Sequence, residues 1–164
     1  MANRNTAGFG LVAANMVGGQ ASVQGQQSYK IDAGHNANIF NGEFVKIDHG
    51  GTQGYIVGGQ GSAAQGIGVL NGIFYNAADT LKPTFSNFYK QPITPANSED
   101  IEAFVIDNPF QQYVVATDAA TTVNSFLRTY DMNTSAGSTT TGKSSATLDI
   151  GVVGDNNKQF RLLK

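Results

Sequence analysis

Most of the chain consists of short apolar runs that alternate with clusters of turn-forming residues. From Tyr29 onward, runs rich in Ile, Val, Phe and Tyr are separated by segments rich in Gly, Asn, Asp, Ser and Pro. This pattern is typical of short antiparallel strands, whereas a βαβ fold would need long amphipathic helices. The sequence therefore predicts an all-β fold, a single antiparallel β-barrel or β-sandwich. The strand candidates are, in order, Tyr29–Ile31, Ile39–Ile47, Tyr55–Val57, Ile67–Tyr75, Thr84–Tyr89, Ile101–Ile106, Gln112–Thr117, Thr147–Val153 and Phe160–Leu163.

Two pairs of these candidates predict hairpins. The turn-forming segment Asp48–Gly54 joins the second candidate to the third, and residues 107–109 (Asp-Asn-Pro) join the sixth to the seventh. Two strand candidates are also interrupted. Asn41-Gly42 predicts a turn or bulge, and Gly72 predicts a bend or a close approach of another segment.

At most one short helix is predicted. Asp118 is a suitable N-cap for a helical stretch that would reach Leu127. Residues 121–123 (Thr-Thr-Val) weaken it because β-branched side chains lose rotamer freedom in a helix. A strand within Phe126–Met132 is the alternative.

Residues 1–28 differ from the rest of the chain. They are rich in Gly, Gln, Asn and Ala, and their larger apolar side chains follow no sustained period of two or 3.6. Alone, such a segment buries too little apolar surface to offset the entropy of ordering it. We therefore predict an extended N-terminal arm over residues 1–28, ordered against a neighbour, and a β domain over residues 29–164. A floppy terminus is the alternative.

The surface chemistry is polar but weakly charged. Charged residues make up 13% of the chain and the formal net charge is −2, while Asn, Gln, Ser and Thr account for 50 of the 164 residues. Broad electrostatic binding of nucleic acid needs clustered Lys and Arg, so we expect no nucleic-acid partner. A surface of neutral amides and hydroxyls suits a protein packed beside many copies of itself or of a partner.

Two further classes are unfavourable. The chain has no Cys, which excludes disulfides and thiolate metal sites. No apolar run approaches the ~20 residues of a membrane span, so we expect no membrane partner. Phe9–Val17 only faintly resembles a signal peptide because Gly10 and Asn15 interrupt it, and we expect the chain to stay in the compartment where it is made.

One string matches the phosphate-binding P-loop pattern. Residues 137–144 read GSTTTGKS, in which Lys143 would reach the outer phosphates of a nucleotide and Ser144 would hold magnesium. That chemistry needs a buried strand before the loop and a helix after it. The following residues, SATLDIGVV, are β-branched and glycine-rich, so we interpret the match as chance and expect no cofactor.

The remaining titratable residues predict neither a catalytic nor a metal site. His35 and His49 lie in loop-like stretches, and their spacing from Asp32 and Asp48 matches no recognised metal set. The acidic cluster of Glu99, Asp100 and Glu102 could in principle supply paired carboxylates, but it is better explained as solvated charge beside a strand. We therefore expect no enzymatic activity.

An ordered series of segments resembles a known family. Residues 2–11 (ANRNTAGFGL), 29–31 (YKI) and 39–47 (IFNGEFVKI) look like a common opening of phage virion proteins. Residues 68–75 (GVLNGIFY), 84–92 (TFSNFYKQP), 103–115 (AFVIDNPFQQYVV) and 141–150 (TGKSSATLDI) extend the likeness over nearly the whole chain. The chain resembles the capsid decoration, or cement, proteins of tailed bacteriophages, notably marine ones.

The resemblance implies a virion structural protein on the capsid surface, assembled in the host cytoplasm. Its partners would be the phage major capsid protein, bound at capsomer junctions, and neighbouring copies of itself. A trimer is expected, with a dimer or a monomer as alternatives. The hypothetical capsid-binding residues are those of the arm: Phe9, Leu11, Val12 and Met16.

Alternative functions stay open. A receptor- or glycan-binding head-fibre module would need an exposed aromatic platform, and glycan binding would identify it. A minor tail component would be present in few copies per particle, whereas a decoration protein is present in many.

Overall fold

The structure is a computed structural model that describes residues 8–22, 25–50, 54–59, 66–133, 137–151 and 158–163. Residues 1–7 of the predicted arm, residues 51–53 of the first predicted turn and residues 152–153 of a predicted strand lie outside the described residues. The fold is mostly β and its sheets are antiparallel, which confirms the predicted fold class.

The described residues form twelve strands and two 3-10 turns. The turns are Ala96–Ser98 and Val123–Ser125, and the described residues contain no α-helix. The stretch from Asp118 to Leu127 therefore holds only a single turn. The strands are β1 (Val12–Met16), β2 (Gln26–Ile31), β3 (Phe44–Ile47), β4 (Ile56–Gly58), β5 (Gly66–Asn76), β6 (Pro83–Ser86), β7 (Ile101–Ile106), β8 (Gln111–Val114), β9 (Thr129–Tyr130), β10 (Met132–Asn133), β11 (Thr147–Leu148) and β12 (Phe160–Arg161).

Six strands form the main sheet in the order β2-β7-β5-β3-β4, with β6 also paired to β5. The two ends of this order meet at one parallel bridge between Lys30 and Tyr55. The described strands thus curl towards each other without forming a continuous hydrogen-bonded barrel. Three two-stranded ribbons, β1–β8, β10–β11 and β9–β12, complete a sandwich-like arrangement.

The main sheet separates two apolar cores. Neighbouring residues of one strand point to opposite faces, so Val45 and Leu70 contribute to the first core while Phe44 and Val69 contribute to the second. The other buried residues of the first core are Ile31, Ile39, Ile56, Ile73, Tyr89, Ile101, Ala103 and Val105. The second core adds Leu11 from the segment before β1, Tyr130, Met132 and Leu148 from β9, β10 and β11, and Ala146 from just before β11.

The described part of the predicted arm packs on the rest of the chain. β1 pairs with β8, and the Leu11 N–H donates to the Gly42 carbonyl at 2.8 Å. The expected boundary between residues 28 and 29 falls inside β2, which pairs along its whole length with β7. Residues 8–22 and 25–28 therefore contribute strands to the fold instead of extending from it.

One predicted hairpin is confirmed and the other is wrong. β3 pairs with β4 across the first predicted turn. β8 does not return along β7; it pairs with β1. The reason is that both edges of β7 are already occupied, by β2 and by β5. Gln112–Thr117 therefore could not complete a hairpin with Ile101–Ile106.

The two interruptions in the strand candidates have the predicted roles. Gly42 adopts a φ of 80°, a left-handed conformation, in the turn before β3. At Gly72 the register of β5 against β7 shifts, and a Cβ there would lie 2.8 Å from the ring of Phe85. The missing side chain lets that ring pack directly on the backbone.

Candidate interaction surface

An exposed apolar face runs along the ribbon formed by β1 and β8. We call it the ribbon face and define it by Val12, Val17, Phe110 and Val114, each between 49% and 61% exposed. Val12 pairs with Val114 across the ribbon, and the Val17 N–H donates to the Phe110 carbonyl at 2.8 Å. These two pairs, Val12 with Val114 and Val17 with Phe110, therefore lie on the same ribbon.

The ribbon face has no charged residue in or beside it along the chain. Residues 8–22 and 108–117 contain no Asp, Glu, Lys or Arg. Exposed strands of monomeric proteins usually carry charges, often Lys, that prevent pairing with other chains. The centres of protein interfaces are instead depleted of charge. In its lack of charge, the ribbon therefore resembles the centre of a protein interface more than an ordinary exposed strand.

A buried amide fixes the ribbon to the fold. The Gln111 side chain donates to the carbonyls of Asn15 (3.1 Å) and Gln112 (2.7 Å) and accepts from the Ser22 hydroxyl (2.6 Å). It thereby ties β8 to both ends of the turn that follows β1. The Tyr113 ring packs on the second core, and burial raises the pKa of its hydroxyl to about 12.

The four hypothetical capsid-binding residues occupy different environments. Leu11 is only 4% exposed and belongs to the second core, so it is unavailable to an outside partner. Phe9 and Met16 are half-buried, and Val12 lies on the ribbon face. Sequence reasoning missed Phe110 and Val114, which lie 93 and 102 positions from Val17 and Val12, because only the pairing of β1 with β8 brings them together.

A second exposed apolar group, which we call the loop cluster, surrounds the second 3-10 turn. It consists of Val123 (83% exposed), Phe126, Leu127 (71%) and Leu163. The Leu127 N–H donates to the Leu162 carbonyl at 2.7 Å, which brings the C-terminal segment beside the turn. The sequence analysis did not predict this cluster, because it considered Leu127 only as the end of a possible helix.

The acidic cluster does not assemble into a pair of carboxylates. Asp100 accepts hydrogen bonds from the Tyr55 hydroxyl (2.8 Å) and the Lys30 ammonium (3.0 Å), and these bonds lower its pKa. Glu102 accepts from Ser28, and Glu99 accepts from Asn76 at 3.2 Å. Each carboxylate therefore has its own structural partner.

One carboxyl group that the sequence did not single out is buried. Glu43 is 8% exposed, its Oε2 accepts from the Phe40 N–H at 2.8 Å, and its Oε1 faces Gly58. Burial raises its pKa from 4.5 to about 7, although the bond from Phe40 opposes this shift. The group therefore changes charge near neutral pH.

The P-loop-like string has a different role. Its Lys143 ammonium donates to Asn41 at 2.6 Å, and the buried Ser144 hydroxyl accepts from the Ala146 N–H at 3.1 Å. The next regular element is strand β11. The string is therefore a loop that fastens the turn before β3, and it is followed by a strand, as the β-branched residues after it predicted.

The two histidines differ in burial. Burial lowers the pKa of His35, whose carbonyl accepts from the Tyr89 hydroxyl at 2.6 Å, while His49 is exposed. Within the described ranges, no group of three or more His, Asp and Glu side chains could hold a metal ion. In the same part of the chain no helix has the length and apolar character needed to cross a membrane.

Comparison of the chain with models of protein families, with curated proteins and with solved structures finds no significant match.

Proposed function

We propose that the chain is a non-enzymatic virion structural protein that binds the outer surface of a tailed-phage capsid and stabilises the shell. The major capsid protein is its partner, and the ribbon face is the contact. Of the four residues in the sequence-based hypothesis (Phe9, Leu11, Val12 and Met16), Val12 belongs to this contact and the buried Leu11 does not.

The observation that carries the proposal is the exposed, uncharged ribbon face. Four apolar side chains are about half exposed there, and no charged residue lies in either contributing segment. Leaving such a face in water forgoes roughly 25 cal/mol for every Å² of apolar area that a partner would cover. The satisfied Gln111 amide holds the face in one conformation, so that little ordering entropy remains to be lost on binding.

Two other features support the same function. The segments that resemble decoration proteins include residues 2–11, of which residues 8–11 lead into β1, and residues 103–115, which contain β8. The rest of the surface is rich in neutral amides and hydroxyls, whose contacts depend little on salt. A modest contact area per copy would still give large reinforcement because it repeats over the shell.

Self-association stays a prediction. The expected trimer would bring neighbouring copies together at a capsomer junction, with dimer and monomer as alternatives. Sedimentation of the purified chain in solution and on capsids decides between them.

A matched pair of substitutions tests the capsid contact. Capsids assembled without this chain are mixed with purified protein, and occupancy is measured by co-sedimentation. Val114→Lys places a charge on the ribbon face and should weaken binding at least about tenfold, as expected for a charge left unpaired at an interface. Val123→Lys places the same charge on the loop cluster, at a position that is more exposed than Val114 (83% against 54%), and should keep the affinity.

Both variants should retain the circular dichroism spectrum of the parent chain because both positions are exposed. If Val114→Lys binds capsids with the affinity of the parent chain, the ribbon face is not the capsid contact.

A further inference from the structure

A cleft lies outside both apolar surfaces, between the β5–β6 hairpin and the segment that leads from β6 to the first 3-10 turn. Its volume is about 470 Å³, which lies within the usual range for ligand sites, roughly 300–1,000 Å³. Apolar walls are provided by Phe88, Pro92 and Ile93. Polar side chains at the cleft are those of Tyr75, Asp79, Lys90, Ser86 and Thr94.

The walls of the cleft are held by backbone contacts. Ala77 forms an antiparallel bridge with Pro95, and the Ala78 N–H donates to the Thr94 carbonyl at 3.2 Å. One face of the Phe88 ring stacks on Phe40, with centroids 5.7 Å apart. The cleft is therefore formed before any ligand arrives, which lowers the entropy lost on binding.

Three polar groups at the cleft have unused hydrogen-bonding capacity. In the part of the chain that the structure describes, neither the Lys90 ammonium nor the Tyr75 hydroxyl has a hydrogen-bond partner. Asp79 uses Oδ1 to accept from the Thr80 N–H at 2.8 Å, which leaves Oδ2 available. A ligand would thus meet a cationic donor, an anionic acceptor and a hydroxyl that can do either.

These groups restrict the chemistry of the ligand. An anion would be attracted by Lys90 but repelled by Asp79, and a cation would be attracted by Asp79 but repelled by Lys90. A wholly apolar molecule would desolvate three polar groups without bonding them, which is costly. An uncharged ring with one apolar face and several hydroxyls matches this combination, because an apolar face suits the Phe88 ring and a hydroxyl can both donate to Asp79 and accept from Lys90.

We propose that this cleft binds an uncharged saccharide. The site is independent of the ribbon face and therefore of capsid binding. It would let the same chain hold a glycan while its other side is attached to a partner.

The test is a titration of the isotopically labelled chain with three neutral disaccharides, maltose, lactose and cellobiose, followed by amide chemical shifts. Shifts should be confined to the amides around Ala78, Asp79, Lys90 and Thr94. Lys90→Ala and Asp79→Asn should each weaken binding at least about tenfold. Asp79→Asn keeps an oxygen that can accept from the Thr80 N–H.

Lys82→Ala is the matched control, since Lys82 lies in the same hairpin but does not line the cleft; it should bind like the parent chain. Inorganic phosphate, used as an anionic probe, should produce no shifts at the cleft. The proposal is overturned if none of the three sugars shifts these amides, if Lys90→Ala binds them unchanged, or if phosphate binds more tightly than the sugars.

Discussion

Neutralising Glu43 should change how the stability of this protein depends on pH. The folded-state pKa of Glu43 is raised from 4.5 to about 7 because the side chain is buried beside Gly58. A raised pKa means that the folded state holds the proton more tightly than the unfolded state. The associated stability is therefore fully present below pH 4.5 and is lost as the pH rises through about 7.

The magnitude follows from the size of the shift. A tenfold change in an acid equilibrium corresponds to about 1.4 kcal/mol, so a pKa of about 7 in place of 4.5 amounts to about 3 kcal/mol at most. Little of this is screened by solvent because the side chain is 8% exposed. Glu43→Gln stays neutral at every pH and can still accept from the Phe40 N–H. At pH about 8 it should be more stable than the parent chain by up to about 3 kcal/mol.

The assay is urea denaturation of both proteins between pH about 4 and about 8. Burial lowers the pKa of His35 in both proteins alike, so its contribution cancels in the difference between them. That difference should be small at the acidic end and grow with pH. A difference that stays constant over the whole range would show that Glu43 is ionised alike in the folded and unfolded states, and would refute the argument.

Two further predictions test the packing. Leu11→Ala should destabilise the fold by about 2–5 kcal/mol because it opens a cavity in the second core. Val12→Ala, at the exposed neighbouring position, should cost under about 1 kcal/mol. Equal effects of the two substitutions in thermal unfolding would contradict the burial of Leu11. Gly68→Ala should cost at least about 2 kcal/mol, because its Cβ would overlap the Ile106 carbonyl. Gly25→Ala, whose Cβ would meet nothing within 4 Å, is the control, and a Gly68→Ala chain as stable as that control would argue against the close strand packing.

Glu43 and the ribbon face depart from simple burial rules in opposite directions. The ribbon face exposes apolar groups that stability alone would bury, and Glu43 buries a carboxyl group that stability alone would expose. Departures of this kind from simple burial rules commonly occur at functional or strained sites. The turn that contains Glu43 also contacts Leu11 through Gly42, so the charge state of Glu43 and the anchoring of the N-terminal segment share one short stretch of chain.

The sequence by itself predicted much of the local structure. Alternation and turn residues predicted antiparallel β structure, the β3–β4 hairpin, the turn at Asn41-Gly42 and the close approach at Gly72. These features depend on a few neighbouring residues, whose preferences for extended or left-handed backbone act locally. The rejection of the P-loop match rested on the same kind of signal, the β-branched residues that follow Lys143.

Only the tertiary structure decided which strands are neighbours and which apolar residues remain outside. The sequence could not show that both edges of β7 are occupied, so it paired β8 with the wrong strand. It could not separate Leu11, which fills a core, from the adjacent Val12, which does not. Likewise, nothing in the neighbouring sequence indicates that Glu43 is buried, because the contact with Gly58 comes from another strand. Side-chain preference is a property of a short segment, but burial depends on which distant segments pack against it, and that competition is settled only when the whole chain folds.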